Sequence, residues 1–262
     1  RIPARRPNNS AMHDSPDTLF LNGAFMPLSD GCIPVEDRGF QFADGIYETV
    51  RVVNGRAFRL HDHLRRLAES AAGIRLPLEY DEPAMAQVCR ELIRRAELRE
   101  GIIYIQVTRG HARRSHLPIG AMRPTTLAYT QSVHAIRDDQ WRRGVTAVFH
   151  VDDRWAHCNL KTISLLANVL GKMDAQERGA DEVIFIGPDN IVRECSSANI
   201  FCIRQGVLHT PPLSSHILSG ITRSVALEAC EELGIGCREA DLAVEAYLTA
   251  DEVFLTSTTR NA

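Results

Sequence analysis

The chain has almost no lysine. Of its thirty basic residues only Lys161 and Lys172 are lysines, and the rest are arginines. Seven cysteines, an odd number with no C-x-x-C pair, argue against a disulfide framework and against a zinc ribbon. A reduced compartment, the cytoplasm, follows from the same usage. Excess charge is missing too. A formal net charge of −3 leaves no electrostatic footprint for nucleic acid or an anionic membrane. Pairs such as Arg94-Arg95 and Arg113-Arg114 read as solvated faces or small-anion sites. Residues 1–17 are rich in Arg, Pro and Asn and hold no continuous apolar run, so they are neither a secretory signal nor a membrane span. They read as a disordered extension, with Met12 a candidate start. No internal repeat or low-complexity segment is present. What remains is a chain of 262 residues, 44% hydrophobic and 24% charged, enough for two modest globular domains or one large one.

With so few lysines, each one poses a question. Lys161 follows Arg154-Trp155-Ala156-His157-Cys158-Asn159-Leu160 and precedes Ile163, Leu165, Leu166, Val169, Leu170 and Met173, which recur at helical spacing up to a stop at Gly179. Thr162 is placed to cap that helix. An amine just outside a capped helix start, beside apolar Leu160, is pushed toward its neutral, nucleophilic form. That suits a Schiff base. The bland alternative is a solvated amine, and Lys172, mid-helix with a free path to water, takes it. A Schiff-base lysine needs a carbonyl, most often that of pyridoxal phosphate. That cofactor asks for a partner to its ring nitrogen and a cradle for its phosphate.

In chain order, Leu19 to Leu21 and Ala24 to Met26 read as strands joined by the Asn22-Gly23 hairpin turn. A turn at Ser29 to Gly31, a β-rich run from Thr49 to Val53 and a second Asn-Gly turn at Asn54-Gly55 follow, so strands and tight turns dominate. His61 to Gly73 and Asp81 to Ala96 carry helical patterns. His61 and His63 lack a carboxylate or cysteine at ligand spacing, so they read as surface-helix residues and not as a metal site. Ile102 to Thr108 and Thr125 to Gln131 are strands. The loop between them, Arg109 to Pro118, is crowded with cationic donors and is either a solvated bend or a trap for a carboxylate. The polar stretch Arg137 to Gln140 marks a linker, 135–140, between an N-terminal domain (18–134) and a C-terminal one (141–262). Val145 to Val151, Glu182 to Ile186, Ile191 to Arg193, Ile200 to Ile203 and Glu252 to Leu255 read as strands of the second unit. Glu194, at a strand end before Cys195-Ser196-Ser197-Ala198-Asn199, is a carboxylate that could hold a protonated ring nitrogen. The small side chains after it leave room for a flat cofactor. Gly220-Ile221-Thr222-Arg223 opens a helix as a phosphate site would, although most Thr-containing helix starts bind nothing. Thr256-Ser257-Thr258-Thr259 is a second candidate phosphate contact, against the alternative of a polar strand end.

Taken together these residues resemble the fold type IV pyridoxal-phosphate-dependent aminotransferases, and most closely the D-amino acid aminotransferases. The resemblance runs from about Phe20 to Thr259. It is carried by an ordered set: Asp37-Arg38-Gly39 with Phe42 to Glu48, His63 to Leu67, Lys161, Glu194 with Ser196 to Asn199, Gly220 to Arg223, and Thr256 to Thr259. It implies an α/β (α+β) two-domain architecture, a homodimer and bound pyridoxal 5'-phosphate. Lys161 would be the Schiff-base lysine and the proton carrier, and Glu194 the partner of the pyridinium. Arg66, Ile221, Thr222, Ser257 and Thr258 would hold the phosphate, with Ser197 among the cofactor contacts. Tyr47, Arg114 and His116 would match the trap for the substrate α-carboxylate in D-specific members, with the histidine lent by the partner subunit. The implied reaction moves the amino group of a D-amino acid such as D-alanine to a 2-oxo acid such as 2-oxoglutarate by a ping-pong route. Branched-chain L-aminotransferases and 4-amino-4-deoxychorismate lyases share the fold and stay open, as does a non-catalytic binder of the cofactor. Two departures stand out. Family members often have Gly-Ser-Ser-Ser where this chain has Cys195-Ser196-Ser197-Ala198, and the cysteine resembles the lyases. The chain also ends at Ala262, where relatives continue through further strands and a helix.

Overall fold

The computed structural model describes residues 18–133 and 142–259. The expected extension over 1–17 and the expected linker over 135–140 lie outside the described residues.

The first half is one antiparallel sheet with two helices on one face. β1 (Thr18–Leu21) and β2 (Ala24–Pro27) form the expected hairpin, with Asn22 at φ 48° and Gly23 at φ 99°, the left-handed pair a two-residue turn requires. A short helix α1 (Arg38–Phe42) precedes β3 (Gly45–Val53), which turns through Asn54-Gly55 into β4 (Arg56–Ala57). Helices α2 (Leu60–Gly73) and α3 (Glu82–Arg95) are followed by β5 (Gly101–Thr108) and β6 (Thr125–Ser132). The sheet order is β2-β1-β6-β5-β3-β4. Strand alternation sends Ile46, Val50 and Val52 of β3 and Ile103, Ile105 and Val107 of β5 into a core with Leu64, Leu67, Cys89 and Leu92 of the helices. Tyr47, Thr49 and Tyr104 take the other face.

The second half begins with β7 (Ala147–Val151), which crosses through α4 (Leu166–Glu177) to parallel β8 (Glu182–Ile186) and antiparallel β9 (Val192–Cys195). A tight turn closed by Cys195 N–H on the Ala198 carbonyl leads to β10 (Asn199–Arg204) and β11 (Val207–Thr210). Then come α5 (Ile221–Leu233), β12 (Cys237–Glu239), α6 (Val244–Leu248) and β13 (Glu252–Thr256). The four strands β12-β11-β10-β13 make the third sheet.

Several sequence expectations are corrected here. The β-rich run expected from Thr49 starts at Gly45, and a helical turn stands before it. Asp37 caps that turn through Gly39 N–H at 2.8 Å while also accepting from the Thr108 and Thr125 hydroxyls. His63 is not a surface residue. It is fully buried, and its Nδ1 lies 2.7 Å from Glu48. The helix after Lys161 starts at Leu166, with Leu165 at the cap position and no side-chain cap. Thr162 therefore does not cap that helix, and its hydroxyl accepts the Ser164 N–H at 3.4 Å. It forms an isolated bridge with Ile46 instead, so the helix dipole is not what acts on Lys161. Lys172 is no free amine, since its Nζ donates to buried Glu182 at 2.9 Å. Arg109 is spent on Asp44 and on the carbonyls of Ile74 and Arg75, so it is not an open anion trap. Strands β11 and β12 and helix α6 carry too little periodicity to have been expected.

The first core rests on α3 closing over the sheet. Leu92→Ala, at a position with no exposure, should cost about 2–5 kcal/mol of unfolding free energy in urea titration, with the denaturant slope unchanged.

Candidate active site

The two halves meet at one cavity, whose walls come from β3, α2, the loop before α4, the β9–β10 turn, the start of α5 and the end of β13. Lys161, Glu194, Arg66, Ile221, Thr222, Ser257, Thr258, Ser197 and Tyr47, all expected at the site, line it together. Arg114 and His116 do not. They sit beyond α1, where Arg114 and the His116 ring pack on Phe42. Arg38 pins that loop by donating to the carbonyls of Ser115 at 2.6 Å and His116 at 3.1 Å.

Lys161 is carried on an extended segment attached to the first half of the chain. Its carbonyl accepts the Tyr47 N–H at 3.0 Å, and its own N–H donates to Ser70 Oγ at 3.0 Å. The amine stands 4.1 Å from the centre of the Tyr47 ring, which stacks in turn on Tyr104.

Arg66 reaches the cavity from α2 because Glu48 holds it. Its Nε and Nη2 donate to the two Glu48 oxygens at 2.7 and 2.9 Å, and Nη1 donates to the Ser219 carbonyl at 2.7 Å. Both terminal nitrogens keep a further N–H for an anion. Burial pushes the Glu48 carboxyl up, but hydrogen bonds from His63 and Arg66 more than offset this and hold it at about 2. The residue was visible in the sequence only as part of a motif. A fully buried acid at an inward position of β3 is the signal that could have found its role.

Facing Arg66, α5 begins at Gly220 with no side-chain cap. Its first N–H groups, those of Ile221 and Thr222, are left for a ligand. A side chain at 220 would run into Asn199 Oδ1, so only glycine lets this helix start pack there. Thr256 Oγ1 is buried in the same wall without a hydrogen-bond partner among the described residues.

At the far end stands Glu194. Arg154 donates to it at 2.6 Å, Asn199 at 3.2 Å and the Leu218 N–H at 3.1 Å. Burial raises its carboxyl to about 7 despite the guanidinium. Arg154, itself buried and tied to Asp152, lies over the Phe185 ring at 4.4 Å. Sequence reading gave it no role, although an Asp-x-Arg at a strand end was its trace. Two cysteines reach the wall. Burial pushes the Cys158 thiol up to about 11 and Cys195 well above the usual range, so neither is a nucleophile near neutral pH. Among the described residues no cluster of His, Cys, Asp and Glu is placed to hold a metal.

The donor set fits pyridoxal 5'-phosphate: an arginine and an uncapped helix start for a phosphate, a buried acid lacking full compensation for a ring cation, and a lysine amine facing the same space. A glycine-lined helix start and an orphaned buried hydroxyl are what such a group would complete.

Comparison with known proteins bears on the same cavity. The sequence profile of the family described as Amino-transferase class IV matches residues 45–262. A D-alanine aminotransferase of Bacillus licheniformis is 40% identical over 241 residues, covering 92% of this chain and 84% of that one. In fold, the crystal structure of the Escherichia coli branched-chain amino acid aminotransferase is similar with a TM-score of 0.86 at 24% identity, covering 94% of this chain and 84% of that one. A PLP-bound hypothetical aminotransferase from Mycobacterium tuberculosis matches with a TM-score of 0.83 at 26% identity, over 93% and 88% of the two chains.

Glu48 gives the site a testable pH signature. Its folded-state value, about 2, lies below the ordinary 4.5, so its contribution is present above 4.5 and is lost as pH falls toward 2. Glu48→Gln should therefore lower unfolding free energy by about 3–5 kcal/mol at pH 7. The gap to the parent should narrow in denaturant titrations at pH 3.

Proposed function

The chain belongs to the class IV amino-transferases, and from that premise we propose that it is a D-amino acid aminotransferase working on pyridoxal 5'-phosphate in the cytoplasm. The donor is a D-amino acid such as D-alanine, and the acceptor a 2-oxo acid such as 2-oxoglutarate. The observation that carries this reading is the single cavity in which a lysine amine, a buried acid and an arginine beside an uncapped helix start face one another.

Arg66, the N–H groups of Ile221 and Thr222, and the hydroxyls of Ser257 and Thr258 hold the phosphate, with Ser197 in contact nearby. Glu194 pairs with the ring nitrogen and keeps it cationic. Its raised carboxyl favours that partner, because a second buried cation offsets the desolvation that Arg154 alone leaves uncompensated. When bound, the cofactor supplies the electron sink for deprotonation at the substrate α-carbon. Lys161 would be its covalent attachment, and its freed amine would hold and move the proton at the substrate α-carbon.

The α-carboxylate falls to Tyr47 with Arg114 and His116 of the partner subunit, in a homodimer of two-domain protomers spanning 18–134 and 141–262. What supports the partner's role is that Arg38 ties the loop of Arg114 and His116 over α1, outside the cavity of its own chain. Among the described residues no helix is long and apolar enough to cross a membrane.

D-Alanine added without an acceptor to the cofactor-loaded protein should convert the visible spectrum to that of the pyridoxamine form, and L-leucine should leave it unchanged. Conversion by L-leucine alone would assign the protein to the branched-chain group, and conversion by neither would leave the lyase or a non-catalytic binder. Lys161→Ala should lower turnover by at least about 10²–10⁴-fold and abolish borohydride-stable attachment of the cofactor. Arg114→Ala or His116→Ala should cripple turnover of D-alanine while leaving the cofactor attached, as steady-state kinetics and the same spectrum would read.

A further inference from the structure

Arg66, Ser70 and Gly73 recur at i, i+4 and i+7 on α2 and so share one stripe of that helix. The stripe faces the cavity wall: Arg66 lines the cavity itself, while Ser70 and Gly73 touch the Leu160–Lys161 segment of that wall. Arg66 lines the anion end. Ser70, only 1% exposed, accepts the Lys161 N–H on its hydroxyl. Gly73 lies against Leu160: a Cβ there would stand 2.5 Å from Leu160 Cδ2, 2.7 Å from Cδ1 and 3.2 Å from Cγ. The whole isobutyl group, and not just its tip, would have to move. Gly73 is not among the glycines of positive φ, so its backbone does not demand glycine, and helix propensity favours alanine at such a position. The missing side chain serves the packing of Leu160, the residue before Lys161.

On its C-terminal side the lysine segment is held by β3, through the Tyr47 N–H on the Lys161 carbonyl and the Ile163 N–H on the Gly45 carbonyl at 3.1 Å. On its N-terminal side the hold comes from Ser70 and the Leu160 seat. We propose that Ser70 and Gly73 are positioning residues for Lys161, and that α2 works as a ruler fixing the amine-bearing backbone relative to the Arg66 guanidinium. Four residues of helix separate Arg66 from Ser70, about 6 Å along the axis. One rigid element thus sets both where an anion is gripped and where the amine is presented. The inference rests on reading Lys161 as the attachment point of the cofactor.

The test separates gripping from presentation. Pyridoxamine 5'-phosphate has an amine where pyridoxal 5'-phosphate has its aldehyde, so its affinity reports the phosphate and ring contacts alone. Attachment of pyridoxal 5'-phosphate to Lys161, trapped with borohydride and located by peptide mass, reports presentation. Gly73→Ala should leave pyridoxamine 5'-phosphate affinity within about twofold while slowing attachment by about tenfold or more, since displacements near 1 Å cost up to about 10²-fold. Adding Leu160→Ala to Gly73→Ala should restore most of the rate, which a general weakening of the fold would not allow. Ser70→Ala should slow attachment in the same selective way. Attachment at the parental rate in Gly73→Ala and Ser70→Ala overturns the inference, and so does a parallel loss of both readouts that Leu160→Ala fails to repair. If the parent protein attaches no cofactor at Lys161, the functional reading fails and this inference with it. Normal attachment in the parent with unaffected variants sinks the inference alone.

Discussion

The cavity depends on an ion pair that sits behind it. Glu48 points from β3 into the helix-covered core, where a lone carboxylate would be far too costly. It is tolerated because Arg66 engages both of its oxygens and His63 a lone pair of one. The pairing fixes the Arg66 guanidinium, carried mid-way along α2, beside the start of α5. There its Nη1 donates to Ser219, the residue before Gly220. One buried carboxylate thereby aligns a strand of the first half, a helix of the first half and a helix start of the second. Arg59 and Glu228 add an exposed ion pair across the same junction, a weaker tie because water screens it.

Glu48 and Glu194 show how environment divides two residues of one type. Both are buried, yet one is held at about 2 and the other rises to about 7. Glu48 receives a bidentate guanidinium and a histidine in the dry core. Glu194 receives one arginine nitrogen, one amide and one backbone N–H, and that arginine is shared with Asp152. In the first case donors outweigh desolvation, and in the second desolvation wins. A carboxylate left in that balance, with its cavity side open to a flat cation, is suited to pairing with a protonated ring nitrogen. Glu48 has no such capacity left.

Much of this was legible in the chain. The Asn-Gly turns, the helices from Leu60 and Glu82, and the strand from Gly101 follow from turn chemistry and apolar period alone. The cavity residues could be picked out because small ordered motifs carried them. The loop before α4 was misread for a physical reason. Ile163 and Leu165 continue the helical spacing of Leu166, Val169 and Leu170, but Ile163 is drawn into an extended pairing with Gly45. Apolar period does not distinguish a residue packed in a helix from one packed on a neighbouring strand edge. The α1 turn was hidden likewise, because Asp37 is satisfied by Thr108 and Thr125, far away in sequence. Glu48 and Arg154 escaped notice because their partners lie on other elements, and nothing local marks a buried charge as paired.

The separation of Arg114 and His116 from the cavity also follows from a local constraint. Arg38 is buried, pairs with Asp44 at 2.8 Å and places its remaining nitrogens on the carbonyls of Ser115 and His116. Asp44 is shared with Arg109, which anchors the start of the same loop. The loop is thus clamped at its start and near its middle, and its Arg114 and His116 side chains pack on Phe42 of α1, outside the lining of the cavity that holds Lys161. Swinging them back into the cavity of the same chain would break the Arg38 hydrogen bonds to two loop carbonyls and strain the Arg109–Asp44 pair. On the proposed reading, the groups that select the hand of the substrate are therefore rigid and pre-aimed, but at a neighbour. On that reading the cavity of a single chain would grip the cofactor and present the amine, while recognition of the substrate carboxylate would be a property of the pair of subunits.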